Sequence, residues 1–521
     1  MKKVLALILA LLMTMSLVAC GGSSSSNDAS ADSETVEDSG EKTIKETVVI
    51  GNVRDITLVD PYGSNTTEVL NMLQMTHSRL LKQNPETYEF EYDLATGYEV
   101  SEDGLEYTFT IREGVKFHNG EELTLDDIVY SFGLMAESSF TSAKVKWITN
   151  IEKLEGNKIK FTLSSPYQDM LNVFAFPNIC IVNQKAIEAD PVMGPGVGSG
   201  AYIIDEWSLG EQTVLVRNEE YYGEMPNTKT FVFRLITEDS SRVIALENGE
   251  IDICIQPPLA QLSYIRDNEK LELMEVVGNK LNYLALNTEK AIFDDPLVRE
   301  AIACAIDRDT IIAVAAEGLG TPANSVISPK TPYYNPDQTV PQYDLERAKS
   351  LLEQAGVDPA DLTFEIICNG SLRESIATII QASLKEIGVN ISVTQLDASA
   401  LKSRMASQGD EAHDVVVYNW APSPGDGTDL TFQSLFYSGS GSNRTKMADS
   451  NVDTMVDAAA VELDVAARQQ LYYDLQEYLV DYAAFIPMYY ETVTIGVSDN
   501  LCNFVCDVAE QHQYTYAYVE E

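Results

Sequence analysis

From residue 47 onward apolar residues recur with two alternating periods, which commits the body to helices packed on a sheet. Residues 47–51 (TVVIG) form an unbroken apolar run of strand length, whereas residues 66–81 carry Val69, Leu70, Leu73 and Leu80 at helical spacing. Residues 107–111 alternate as a half-buried strand and lead through Val115 and Phe117 into Asn119-Gly120, a pair that favours a tight turn. Thr124 stands where it can cap a helix running from Leu125 to about Met135, with Asp127 near the positive end. Residues 214–216 and 231–236 read as further strands. Helices are expected from Pro296 through Ala305, from the cap Asp307 to near Gly318, over residues 344–355 ended by Gly356, and over 375–387 ended by Gly388. The last two each precede an extended apolar segment, residues 364–367 and 391–393. The pattern is that of an α/β or α+β body. At 521 residues the chain is too long for one core, and roughly 150 residues per domain gives about three folding units.

The first residues read as an address. Lys2 and Lys3 precede an apolar stretch over residues 4–12, and Leu17-Val18-Ala19-Cys20 is followed by Gly21-Gly22. The last four of these resemble the bacterial lipobox, which implies removal of residues 1–19 and acylation of Cys20; ordinary secretory cleavage beside a coincidental cysteine is the alternative. Acyl chains would hold the protein at the membrane without a spanning helix. Residues 20–46 are rich in Ser, Asp and Glu and poor in apolar side chains, so a disordered tether is expected there. The length of that serine-rich tether favours a Gram-positive surface over a periplasm. After residue 20 no apolar run approaches the roughly 18 residues of a membrane span.

The formal charge is −45, and removing Lys2 and Lys3 with the leader makes it more negative by two. A field of that sign repels phosphate backbones and argues against nucleic-acid partners. The seven cysteines include no CxxC pair, so a zinc or redox site has no support. Cys502 and Cys506 could bridge only if the local backbone allowed it; free, buried thiols are the expectation. Four histidines (His77, His118, His413 and His512), with no HExxH, no GxSxG and no phosphate-binding glycine loop, leave little for catalysis or for a cofactor.

Several stretches together resemble solute-binding family 5, the peptide-binding proteins of ABC importers. Residues 100–120 (VSEDGLEYTFTIREGVKFHNG), continuing into 125–132 (LDDIVYSF), match the family's signature hairpin and helix nearly throughout. Residues 198–202 (GSGAY) and 218–222 (NEEYY) resemble its GTGPY and NPxY segments, with Ala201 in place of the usual proline. Residues 249–252, 286–287, 298–301, 305–308, 348–352, 355–356, 381 and 384–388 continue the series in the family's order. The resemblance implies a two-lobed, hinged, periplasmic-binding-protein-like fold of the large type, with an extra domain inserted in lobe I. Lobe I is expected from residues 47–65, 185–285 and 487–521, the insert from 66–184, and lobe II from 286–486. The chain should cross between lobes near residues 282–287 and 486–491, and the lobes should close on ligand by hinge rotation.

A peptide enclosed between lobes brings a charged amine and a charged carboxylate out of water, and each needs a partner. The segment from Tyr418 to Asp429 leaves a predicted strand over residues 415–417 and enters a Gly/Pro-rich loop, a common place for binding residues. In dipeptide and oligopeptide members an aspartate three residues after the tryptophan holds the ligand amine; this chain has Ser423 at that spacing from Trp420. The loop is closer to that of glutathione-type binders, and by that resemblance Asp426 or Asp429 takes the amine while Trp420 walls the cleft. Aspartates beside glycine also simply cap turns, which is the plainer reading. Arg373, ahead of a helix, could hold a carboxylate through two parallel hydrogen bonds or could be an ordinary surface arginine. Arg444, in the loop over residues 438–445, is a further candidate, whereas Tyr202 and Tyr283 read as packing residues near the cleft floor.

The expected function is therefore an extracytoplasmic, lipid-anchored, monomeric binding protein that captures a di- or oligopeptide or a glutathione-like solute. Its partners would be the permease and ATPase complex of an ABC importer. Nickel or nickel-chelate uptake and oligosaccharide binding are alternatives within the family, and an exported peptidase is the alternative of a different class.

Overall fold

The computed structural model describes residues 43–521 apart from Glu86, Tyr88 and residues 423–426. The expected leader, Cys20 and most of the tether lie outside the described residues. Residues 43–46, expected to end the tether, belong to the body instead. Ile44 bridges Glu520, the Lys45 N–H donates to the Val519 carbonyl at 2.9 Å, and the Lys45 ammonium reaches Asp252 at 2.7 Å.

Strand β1 (Thr47–Asn52) opens lobe I, and helix α1 (Thr67–Thr76) follows it. The helix stops five residues short of the expected end because another segment crosses there. The Gly200 N–H donates to the Thr76 carbonyl at 2.9 Å, and a Cβ on Gly200 would lie 2.4 Å from the Met75 oxygen. Strands β2 (Ala95–Val100) and β3 (Glu106–Ile111) come next, then α2 (Leu125–Glu137). Thr124 and Asp127 form a reciprocal capping box at the start of α2, satisfying two otherwise orphaned N–H groups. Strands β4 (Ile148–Leu154) and β5 (Lys158–Leu163) complete a four-stranded antiparallel sheet ordered β2-β3-β5-β4, and the short helix α3 (Met170–Ala175) lies beyond it. Phe109, Phe132, Phe161 and Phe174 interlock here, with ring centroids 4.8 to 6.1 Å apart. These rings and Val48, Ile50 and Phe231 of the main sheet share one continuous core.

Strands β6 (Tyr202–Ser208), β7 (Gln212–Arg217), β8 (Thr230–Leu235) and β9 (Ile253–Ile255) return the chain to the main sheet, and the long strand β10 (Leu271–Leu286) leaves it. Lobe II is built from α4 (Pro296–Cys304), α5 (Leu345–Gln354), β11 (Glu365–Cys368), α6 (Gly370–Glu386) and β12 (Ser392–Gln395). It continues through β13 (Val415–Trp420), α7 (Gly427–Phe436) and α8 (Val465–Tyr482), after which strand β14 (Phe485–Ser498) runs back. All the main strands join one sheet ordered β12-β11-β13-β10-β14-β9-β1-β8-β7-β6.

β10 and β14 are antiparallel partners through both halves of the sheet. Leu271 to Val277 pair with Thr492 to Ser498 on the lobe I side, and Leu281 to Ala285 pair with Phe485 to Tyr490 on the lobe II side, with a register break between Val277 and Leu281. Leu281 to Leu286 pair with β13. Along β10 the side chains alternate, as the strand's period of two requires. Leu284 and Leu286 enter the core shared with Ile302, Ile366 and Ile380, while Tyr283 and Ala285 enter the opposite core with Val416, Phe432 and Tyr472.

The crossing at Gly200 leaves no room for a side chain. Gly200→Ala should lower stability by about 1–3 kcal/mol, the scale of an overpacked core site, read as a shift in the urea unfolding midpoint.

Candidate functional site

β11 and β13 are parallel neighbours, and their carboxyl ends point to the same edge of lobe II. In open α/β sheets that edge is where ligands are held. Beyond Trp420 the chain continues into Ala421 and Pro422, which wall a run of connected cavities. The first, about 130 Å³, is walled by Gln74, Arg79 and Phe176 on the lobe I side and by Lys330, Pro332 and Pro422 on the lobe II side. The second, about 350 Å³, shares Asn279, Pro422 and Val508 with it and lies against the strand crossing at Lys280 and Glu491. The third, about 230 Å³, shares Gln74, Arg79 and Gln513. The first two bring together residues from both halves of the main sheet.

Arg373 does not precede a helix as expected but sits in the first turn of α6, which starts at Gly370. Gly370, the first residue of α6, has φ +75°, a left-handed conformation that glycine adopts without steric cost. The Arg373 and Arg444 guanidinium groups lie 5.3 and 5.8 Å from the Tyr418 ring centre, so two residues 71 positions apart in sequence converge on one phenol. Arg373 donates to the Asn369 side chain at 2.9 Å and Arg444 to the Gly441 carbonyl at 2.6 Å, and the Nε of each is buried without a partner. Neither has a carboxylate within 4 Å among the described residues. Tyr283 packs edge-on against Tyr418 at 6.5 Å, and Tyr202 donates to the Thr228 carbonyl at 2.8 Å; both are buried packing residues. Trp420 lies in strand β13, half-buried, with its indole N–H 3.4 Å from the Thr431 hydroxyl. Ser423 and Asp426 lie outside the described residues.

Asp429 is in α7 rather than in a loop, and its carboxylate is already occupied. It is 4% exposed and accepts from Arg468 of α8, a residue the sequence reading did not single out. Asp169, just before α3 in the expected insert, lies 3.5 Å from the same guanidinium. Asp169 lies against Gly427 at the start of α7, where a negative charge is favoured. The fit is close: a Cβ on Gly427 would fall 1.7 Å from the Asp169 carboxylate. The rings of Tyr333 and Tyr472 lie 5.1 and 5.8 Å from the Arg468 guanidinium, and the Asn172 amide is 3.5 Å from Asp169. Tyr107 and the Asp169 carboxylate are also close enough to interact electrostatically. Two buried carboxylates share one guanidinium here. Burial, then the facing Asp169, push Asp429 well above the usual carboxylate range, and burial raises Asp169 as well, against the pull of Arg468.

The histidines are all committed to the fold. His77 and His118 contact the Pro195 and Gly200 carbonyls, His413 contacts the Arg444 carbonyl, and His512 accepts the Asp507 N–H. Burial holds His77 and His512 near about 3 and His118 and His413 near about 4, so all four are neutral at physiological pH. The six described cysteines are free thiols, Cys502 and Cys506 included. No described helix is long and apolar enough to cross a membrane.

The profile of "Bacterial extracellular solute-binding proteins, family 5 Middle" matches residues 89–444. This chain belongs to solute-binding family 5. Glutathione-binding protein GsiB of Salmonella typhimurium is 28% identical over 474 residues, covering 88% of this chain and 91% of that one. HbpA2 of Haemophilus parasuis superposes with a TM-score of 0.83 at 23% identity, covering 91% of this chain and all of that one (100%). The periplasmic binding protein DppA of Helicobacter pylori, solved with the peptide STSA, gives a TM-score of 0.74 at 25% identity over 91% and 98% of the two chains. The family has the two-lobed periplasmic-binding-protein architecture, and its members bind solutes rather than transform them. This family 5 protein is accordingly a binder and not an enzyme.

The carboxylate pair has a pH signature. Raised folded-state values mean that the folded protein keeps a proton which the unfolded chain, titrating near about 3.9, has already released. The pair's contribution should therefore improve as pH falls through the raised values and be lost above them. Asp169→Asn removes the second negative charge beside Arg468. The wild-type urea midpoint, measured relative to that variant, should rise as pH falls through the raised values. Parallel profiles for the two proteins would show that the carboxylates do not share a proton.

Proposed function

We propose that this family 5 protein closes its lobes around a short peptide, holds both charged ends, and hands the peptide unaltered to the permease and ATPase complex of an ABC importer. The observation that carries this reading is the pair Arg373 and Arg444 on Tyr418, two guanidinium groups with unpartnered Nε atoms at the carboxyl edge of the lobe II strands. In a chain with 80 acidic against 35 basic residues, arginines left without a carboxylate are available for a carboxylate the ligand brings. The names of relatives support the same class: one is a glutathione-binding protein, another was solved with a bound peptide.

For the amine we assign Asp426: Asp429 is engaged by Arg468, and Asp426 belongs, with Trp420 and Ser423, to the segment whose sequence resembles that of glutathione-type binders. Cys20 is the lipid attachment point, the protein acts as a monomer, and the residues after Cys20 tether the body at the extracytoplasmic face, on a Gram-positive surface rather than in a periplasm.

Native mass spectrometry of freshly purified protein should release a peptide mass, and a metal chelate or an oligosaccharide in its place would refute the reading. Asp426→Asn should weaken a free-amine peptide by about 2–4 kcal/mol in titration calorimetry, the scale for truncating one partner of a buried charge pair. An N-acetylated peptide should bind the two proteins alike.

A further inference from the structure

One ion cluster joins the two halves of the molecule away from the strands that link them. Asp169 precedes Met170, which packs in the same core as Phe109, Phe161, Val48 and Phe231, so it moves with the lobe I half of the sheet. Asp429 and Arg468 stand on α7 and α8, whose Phe432, Tyr472 and Leu475 pack in a separate core with Tyr283 and Val416, so they move with the lobe II half. Arg468 donates to Asp429 within its own half and lies 3.5 Å from Asp169 across the seam. A second contact follows the same seam. A Cβ on Gly104, in the turn between β2 and β3, would lie 3.1 Å from the Leu463 Cδ2, just ahead of α8.

The charges in this cluster do not balance. Asp169, Asp429 and Arg468 are 5%, 4% and 2% exposed, so little water reaches any of them. The other groups that face them are Asn172 of α3, Tyr107 of β3, Tyr333, and Tyr472 of α8, all uncharged at neutral pH. Among the described residues neither carboxylate has a second cation within 4 Å. One guanidinium serves two carboxylates, so the joined cluster either buries a net negative charge or holds a proton, and the bare charge is the costlier state. Rotation about the break between Val277 and Leu281 would carry Asp169 into water, where a carboxyl ionises near about 3.9, and would leave Arg468 with Asp429 alone. The joined halves therefore bind a proton that the separated halves release. Burial raises both carboxyls, in keeping with this.

We propose that Asp169, Asp429 and Arg468 form a proton-dependent clasp between the lobes, which favours closure as pH falls and opening as pH rises. The sign follows from linkage: a carboxyl whose value is higher in the closed form than in the open form stabilises closure below the raised value and ceases to do so above it. The proposal rests on the lobe closure in the reading above, not on the solute being a peptide, and it adds a control on when a solute is held.

Small-angle X-ray scattering of the mature protein, stripped of solute by unfolding in urea and refolding, tests it without any ligand. Titrated from alkaline to mildly acid pH, the wild type should contract, with the closed-to-open ratio rising by up to about tenfold per pH unit, the limit for one proton. Asp169→Asn, which carries no charge at any pH, should stay contracted throughout. Leu463→Glu, at an exposed position, probes the seam without touching the buried cluster and should leave the molecule more extended than the wild type in acid. A wild-type radius that ignores pH or grows in acid, an Asp169→Asn variant that titrates like the wild type or stays extended, or a Leu463→Glu variant that contracts as the wild type does would each overturn the clasp. None of these results bears on the peptide reading, which the mass of the co-purified solute decides.

Discussion

Two strands, β10 and β14, carry the main sheet from one lobe into the other, and the cleft exists because their ladder is broken in the middle. Pairing runs from Leu271 to Val277 and resumes at Leu281, and between them Gly278 passes so close to β14 that a Cβ would lie 2.7 Å from the Glu491 oxygen. A continuous ladder would resist bending there; a broken one, with a glycine at its closest approach, lets the two halves of the sheet rotate about it. Lys280 and Glu491 pair at 2.7 Å beside the break and form part of the cleft floor.

The arginines divide by what they touch. Arg242, Arg299 and Arg308 are buried struts that donate to main-chain carbonyls: Ile236, Ile255 and Gln256 for the first, Phe293, Asp294 and Tyr482 for the second, Pro341 and Pro487 for the third. Arg468 is spent on two carboxylates, one from each side of the cleft. Arg79, Arg373 and Arg444 each keep an unpartnered nitrogen, as do Arg308 and Arg468.

Local patterns were legible residue by residue. Thr124 with Asp127, Asp344, and Pro296 behind Asp295 mark helix starts that the backbone follows. The strand runs over residues 47–51 and 107–111 appear within a residue of their reading. Misreadings arose where a distant segment intervened. α1 was cut short by the chain at Gly200, and α6 begins at Gly370, five residues before the expected start. Asp429, flanked by Gly, Pro and Thr, looked like part of a loop until Arg468 and Asp169 were seen to draw it into a helix start.

Periodicity, caps and the ordered family segments were enough, without coordinates, to establish an α/β solute-binding body, because they depend on neighbours within a turn or a strand. Which carboxylate is free and which donor is orphaned was decided only in three dimensions. Asp429 meets Arg468 across 39 positions, and Gln513 meets Gln74 across 439. The charge state and hydrogen-bonding need of a buried group are set by what excludes water from it, and nothing in the local sequence names those neighbours.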